Sequence, residues 1–338
     1  MNSVSFGDLA QSQMLRRSGA AAQQRLSRLA EELASGQRAD KAAAAGGDFK
    51  LLAGIERSLG LLDTFRTTAE EAAATGAGIQ VALETVQVLA EDAGNALTGA
   101  GTQGTAVAVN SAASAARQQL DAAVAALNAN IGDRYLFSGT ATDRKAVVPP
   151  DAILAALSGA TAGSTTAGDV LTAVRDWFDA PSGGGGFLDL AFGGAGAGSG
   201  PFPVGEGEAV AIPVTAADPA LLRVLEGLAL GAMVGNGLMS GDPGARAQVL
   251  RSAGETLMSA GGPLSELRGA VGTAEAAVDS AATRNRAEAA ALGIARGGLV
   301  AADPYETATA LEEARSQLEM IYLMTARLSG LSLTEYLR

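Results

Sequence analysis

The chain has 338 residues, a formal net charge of −12, no cysteine and no histidine. Those absences exclude disulfide scaffolds, thiol nucleophiles, cysteine- or histidine-ligated metal and every histidine-dependent triad. The acidic excess argues against a nucleic-acid partner, which would need a basic footprint. No uncharged stretch is apolar enough to insert in a membrane: the longest, such as 96–116, is interrupted by Thr, Gly, Gln and Asn. Residues 1–15 carry Asp8 and no continuous apolar segment, so no cleaved secretory signal is expected.

In chain order, the first pattern is a leucine stripe. Leu15, Ala22, Leu26, Leu29 and Leu33 recur at helical spacing, and Ser35-Gly36 supplies the stop, since Gly accepts the left-handed turn after a helix. Leu52, Ile55, Leu59 and Leu62 begin a second stripe, which Ile79, Leu83, Val86, Ala90, Ala93 and Leu97 extend. Gly99, Gly101 and Gly104 read as the break before a third, carried by Val109, Ala113, Ala116, Leu120, Val124, Leu127 and Ile131. Gly261-Gly262-Pro263 precedes a penultimate helix striped by Leu264, Leu267, Val271, Ala274, Val278 and Ala281. Asp303-Pro304-Tyr305-Glu306 opens the last, in which Leu311, Ala314, Leu318, Ile321, Thr325 and Leu328 keep the rhythm. Alternating steps of three and four are those of helices packing in coiled-coil fashion through one narrow seam.

The middle is different. Seven of the thirteen aromatic residues fall between Tyr135 and Phe202, where a compact core wants bulky side chains. Residues 181–208 hold eleven Gly and three Pro, which is loop chemistry. Val147-Val148-Pro149-Pro150 and residues 209–214 read as short β-type runs, with helices over 171–178 and 221–233. The expected fold is therefore mainly α. It is a long coiled-coil-like helical bundle formed by N- and C-terminal segments, with a small β-rich or mixed α+β central insertion. Residues 1–45 with 303–338 form a terminal helical pair as the inner core, 46–139 with 250–302 a helical bundle domain, and 140–249 the outer domain.

Nothing in the sequence points to catalysis, and no cofactor or metal is expected. The acidic pairs Glu31-Glu32, Glu70-Glu71, Glu91-Asp92 and Glu312-Glu313 lie in helical stretches, where neighbours point about 100° apart and do not converge on a substrate. The Gly-rich segment has no Gly-Lys and no G-x-G-x-x-G register after a strand, so it reads as a surface loop rather than a phosphate cradle. Arg16, Arg17, Arg25, Arg28 and Arg38 read as a helix exterior laced by pairs such as Arg28 with Glu31 and Glu32. What remains is the seam itself, which needs the other end of the chain or another copy of it.

Residues 26–38, Leu-Ser-Arg-Leu-Ala-Glu-Glu-Leu-Ala-Ser-Gly-Gln-Arg, resemble the N-terminal signature of bacterial flagellins, a leucine-striped helix ending in Ser-Gly-x-Arg. Arg134-Tyr135-Leu136-Phe137-Ser138-Gly139-Thr140 resembles the segment that closes the third helix in hook-associated proteins of the hook–filament junction type. Residues 311–318 and the tail 328–338, Leu-Ser-Gly-Leu-Ser-Leu-Thr-Glu-Tyr-Leu-Arg, resemble the C-terminus of the same superfamily. The likeness covers 10–140 and 250–338.

The resemblance implies a structural, non-enzymatic protein of the flagellum. It implies export through the flagellar type III apparatus without a cleaved signal peptide, to an extracellular location. The implied partners are copies of itself in a ring, the hook-side junction protein, flagellin and a flagellar export chaperone. The residues expected at the assembly interface are Leu26, Leu29, Leu33, Leu318, Ile321, Leu328 and Leu331. Flagellin itself is the alternative within the family, and a cytoplasmic coiled-coil scaffold or adaptor is the alternative from another class.

Overall fold

A computed structural model describes residues 4–40, 49–196 and 198–336, the side chains at 4–9, 12 and 328–336 excepted. The fold is mainly helical. Helices α1 (Val4–Ser35), α2 (Phe49–Gln103) and α3 (Ala106–Leu127) come first, then the two-residue strands β1 (Asn130–Ile131) and β2 (Arg134–Tyr135). Helices α4 (Pro150–Ala160), α5 (Ala167–Asp179) and α6 (Phe187–Leu190) precede the hairpin β3 (Ser199–Gly205) and β4 (Glu208–Ile212). Helices α7 (Pro219–Gly235), α8 (Pro243–Ser259), α9 (Gly261–Val300) and α10 (Pro304–Tyr336) complete the chain. It divides into two compact units, residues 1–63 with 286–338 and residues 64–285.

The unit of residues 64–285 is built round α7. This helix is apolar but for Arg223 and Glu226, and it is buried apart from its ends and the half-buried Arg223, as a helix without a broad polar face must be. It packs on α3, α8, α5 and α4. Close approach is possible because α7 presents glycine at the crossings. A Cβ on Gly231 would stand 2.6 Å from Ala116 Cβ, and one on Gly227 2.9 Å from Leu257 Cδ2. Asp218 caps the helix by accepting from the Ala220 amide at 3.1 Å, with Pro219 at the first helical position. Against α7 lies an aromatic cluster: Phe178 and Phe187 stack at 5.6 Å and Trp177 meets both edge-on. The seam residues of α2, α3 and α9 in this unit (Ile79 to Leu97, Val109 to Leu127, Leu264 to Ala281) are buried where the periodicity placed them.

Local expectations are corrected at these points. Gly99 and Gly101 do not break the helix, because α2 runs on to Gln103. Gly101 is instead a contact point, where its carbonyl accepts from Arg251 at 3.0 Å and a Cβ would meet the α8 backbone. Only Gly104, at φ +66°, ends α2. Ile131 leaves the helical stripe: Asn128 caps α3, and Ile131 sits exposed in β1. Of the two compositions expected for 140–249, β-rich or mixed, the described residues show a helix-rich mixture with the hairpin β3–β4. Glycine and proline supplied loops and helix starts there, Pro150, Pro219 and Pro243 each opening a helix.

The unit of residues 1–63 with 286–338 is held by the pairing of α1 with α10. Gly36 at φ +67° turns the chain out of α1. The strand-like link that follows is clamped: Arg38 donates its amide to Val300 at 2.8 Å, and Ala302 donates to the Gly36 carbonyl at 3.0 Å. Asp303 then caps α10, accepting from Tyr305 and Glu306 at 2.9 and 3.1 Å. The expected division at 45/46 falls outside the described residues.

Candidate assembly surface

The α1–α10 pair runs antiparallel. Gly36 meets Ala302 at one end, and a Cβ on Gly19 would touch Ile321 Cγ2 at 3.6 Å towards the other. The inward seam is formed by Leu15, Ala22, Leu26 and Leu29 on α1 and by Thr307, Leu311, Ala314, Leu318 and Ile321 on α10, all buried or half-buried. Small residues at Gly19, Ala22 and Ala314 let the helices approach, and the leucines fill the flanks.

Of the residues singled out from the sequence, Leu29 is buried and Leu26, Leu318 and Ile321 are half-buried. Leu33 is exposed at the end of α1. The side chains of Leu328 and Leu331 lie outside the described residues. Glu32 does not serve as a partner for Arg28 in the structure's hydrogen bonding: its Oε1 accepts from the Ala39 amide at 2.9 Å, across the Gly36 turn.

A second apolar surface was not anticipated. Tyr305, Met320 and Leu323 stand on the side of α10 away from the seam, 84%, 56% and 63% exposed, with Met324 and Tyr322 beside them. From Leu318 to Met324 only Glu319 is charged, so these two turns of helix are apolar on most sides. A helix of that kind is normally covered all round. The signal was present in the run Met-Ile-Tyr-Leu-Met, but a search for alternating three- and four-residue steps selects one member of each turn and passes over the rest. A shallow groove along α10 is lined by Tyr305, Thr309, Glu312, Glu313, Ser316 and Met320. Another, on α1, is lined by Ala20, Gln24, Arg28 and Glu31.

Elsewhere the Gly-rich loop proves structured. The Asp189 carboxylate accepts from the Gly183 amide at 2.8 and 2.9 Å and from Gly185 at 2.7 Å. The hydrogen bond from Gly183, then that from Gly185, holds the Asp189 carboxyl below the usual range. The loop's amides are thus engaged by the chain's own carboxylate. The Tyr135–Gly139 segment anchors the region after α3: Phe137 and Ser138 are fully buried, and the Ser138 hydroxyl donates to Arg144 at 2.7 Å. Glu226 on α7 is 1% exposed and pairs with Arg223 and with Arg175 of α5. Burial pushes its carboxyl up, against the pull of the two arginines.

Among the described residues there is no group of side chains placed to hold a metal, and no helix is long and apolar enough to cross a membrane. Comparison with protein-family models and with curated protein sequences gives no match.

Proposed function

We propose that this chain is a structural subunit of the bacterial flagellum, of the kind that joins hook to filament. The observation that carries the reading is the pairing of its first and last helices through a leucine seam that leaves a second apolar face outward. The same chain carries the Ser35-Gly36-Gln37-Arg38 turn and the Tyr135–Gly139 segment. Such a surface is an aggregation hazard for a solitary molecule and a joint for an assembling one. In this reading the seams of α2, α3 and α9 form a coiled-coil-like bundle, residues 140–249 are a separate domain, and copies of the chain assemble as a ring. The hook-side junction protein lies on one side and flagellin on the other. Export proceeds through the flagellar type III apparatus with a chaperone on the terminal helices, and the protein performs no catalysis.

The decisive test is genetic. Deleting the chain should leave cells with hooks but without filaments and with flagellin shed into the medium; deletants with normal filaments refute the assignment. Within the protein, Leu29→Asp places a charge in the seam and should abolish assembly while residues 64–285 remain folded by circular dichroism and limited proteolysis.

A further inference from the structure

We propose that the cavity between the β1–β2 hairpin and α2 binds a free α-amino acid with an apolar side chain. The site lies wholly within residues 64–285 and does not depend on the assembly reading above. The hairpin is closed by Gly132 and Asp133 at φ +56° and +63°, the paired left-handed residues of a tight two-residue turn. Ile131 pairs with Arg134 and Asn130 with Tyr135, and the Leu136 amide donates to the Ala129 carbonyl at 3.0 Å. The hairpin rests on α2 at Gly78, where a Cβ would stand 2.8 Å from both Ile131 Cδ1 and Leu136 Cδ1. Residues 71, 74 and 75 lie on the same face of α2 as Gly78, one to two turns earlier. There the two elements part and leave a cavity of about 210 Å³, with Ser199 and Phe202 of β3 as a further wall.

Size and lining select the ligand. Sites for drug-sized molecules occupy roughly 300–1,000 Å³, so this one takes a smaller molecule, the size of a single amino acid. Its inner lining is apolar: Leu136 and Phe202 are 4% and 6% exposed. Its mouth carries one charge of each sign, Glu71 from α2 and Arg134 from β2, both exposed. Neither is engaged elsewhere. Arg66 pairs with Glu70 at 2.8 Å, and the Glu71 carboxylate and Arg134 guanidinium have no ion-pair or hydrogen-bond partner among the described residues, each other included. A molecule that meets all three features offers an ammonium to Glu71, a carboxylate to Arg134 and an apolar group to Leu136 and Phe202. An α-amino acid joins the three on one carbon atom. A ligand with only one charged end would leave one of the two mouth charges without a counter-ion.

The experiment titrates the full chain with L-leucine, N-acetylleucine and leucinamide, followed by ligand-observed NMR. Leucine should bind at least about tenfold more tightly than either blocked form, each of which lacks one charge. The blocked forms also stand for the two ends of a peptide, so the comparison separates a free amino acid from a chain terminus. Arg134→Ala should weaken leucine binding about tenfold and leave leucinamide unchanged, because leucinamide has no carboxylate to lose. Glu71→Gln should weaken leucine equally and spare N-acetylleucine, which has no ammonium. Both residues are exposed, so helical circular dichroism should be the same in each variant. No saturable binding of leucine up to about 10 mM overturns the site, as does a blocked form that binds as tightly as leucine. Equal weakening of leucine and leucinamide by Arg134→Ala also overturns it, since the guanidinium would then act on the shape of the cavity and not on a carboxylate.

Discussion

The two units put the same alanine- and leucine-rich alphabet to opposite uses. In residues 64–285, α7 is apolar but for Arg223 and Glu226 and enclosed along most of its length, and Trp177, Phe178 and Phe187 close the remaining space. In residues 1–63 with 286–338, the stretch Leu318–Met324 is apolar but for Glu319, yet only one of its sides is covered. The first unit has used most of its apolar surface on itself, leaving single exposed side chains such as Val81, Val88, Val107 and Met258. The second retains part of it, and retained apolar surface is what self-association uses.

This contrast can be broken at several points. The largest effect is expected from Phe178→Ala, which removes a fully buried ring and should cost about 3–5 kcal/mol in urea unfolding. Gly231→Val comes next. Its side chain would meet Ala116 Cβ and Leu97 Cδ1, so the crossing must open, at about 1–3 kcal/mol. In the other unit, Met320→Ser with Leu323→Ser should change unfolding stability by no more than about 0.5 kcal/mol, since both side chains are exposed. The same pair should weaken self-association by at least about tenfold in light scattering, because the loss is felt only in the assembly. If the double change destabilises the monomer instead, the face belongs to the chain's own core and the contrast fails.

The smallest effect concerns Glu226. Burial raises its carboxyl pKa, so folding favours the protonated form. Its cost is absent below the unfolded value near 4.5 and appears as pH rises through the folded value. Glu226→Gln should therefore gain stability at pH 7, by less than about 1 kcal/mol, and the gain should vanish on acidification to below pH 4.5. A gain that persists at low pH assigns the effect to packing rather than charge.

Much of this architecture was legible in the sequence because a helix seam is a local pattern. Val271, Ala274 and Val278 are buried for the same reason their spacing is regular. The errors arose where one residue type serves two purposes. Glycines at 99 and 101 looked like a break, but Gly101 is the place where two helix backbones come together, which no single-segment pattern reveals. Pro150 read as the end of a β-type run but opens a helix. For the candidate surface, the inward stripe was readable from Leu26, Leu29 and Leu318. The outward one was not, since which side of a uniformly apolar turn remains uncovered depends on the partner helix, not on the turn.

The antiparallel closure of α1 on α10 also constrains the order of events. Gly19 and Ile321 are separated by roughly 300 residues of chain, a long loop to close for a contact of modest size. A polypeptide delivered amino end first can complete residues 64–285 while its last helix is still in transit, but α1 must wait unpaired until the final segment arrives. Through that interval the leucines of the first helix stay accessible.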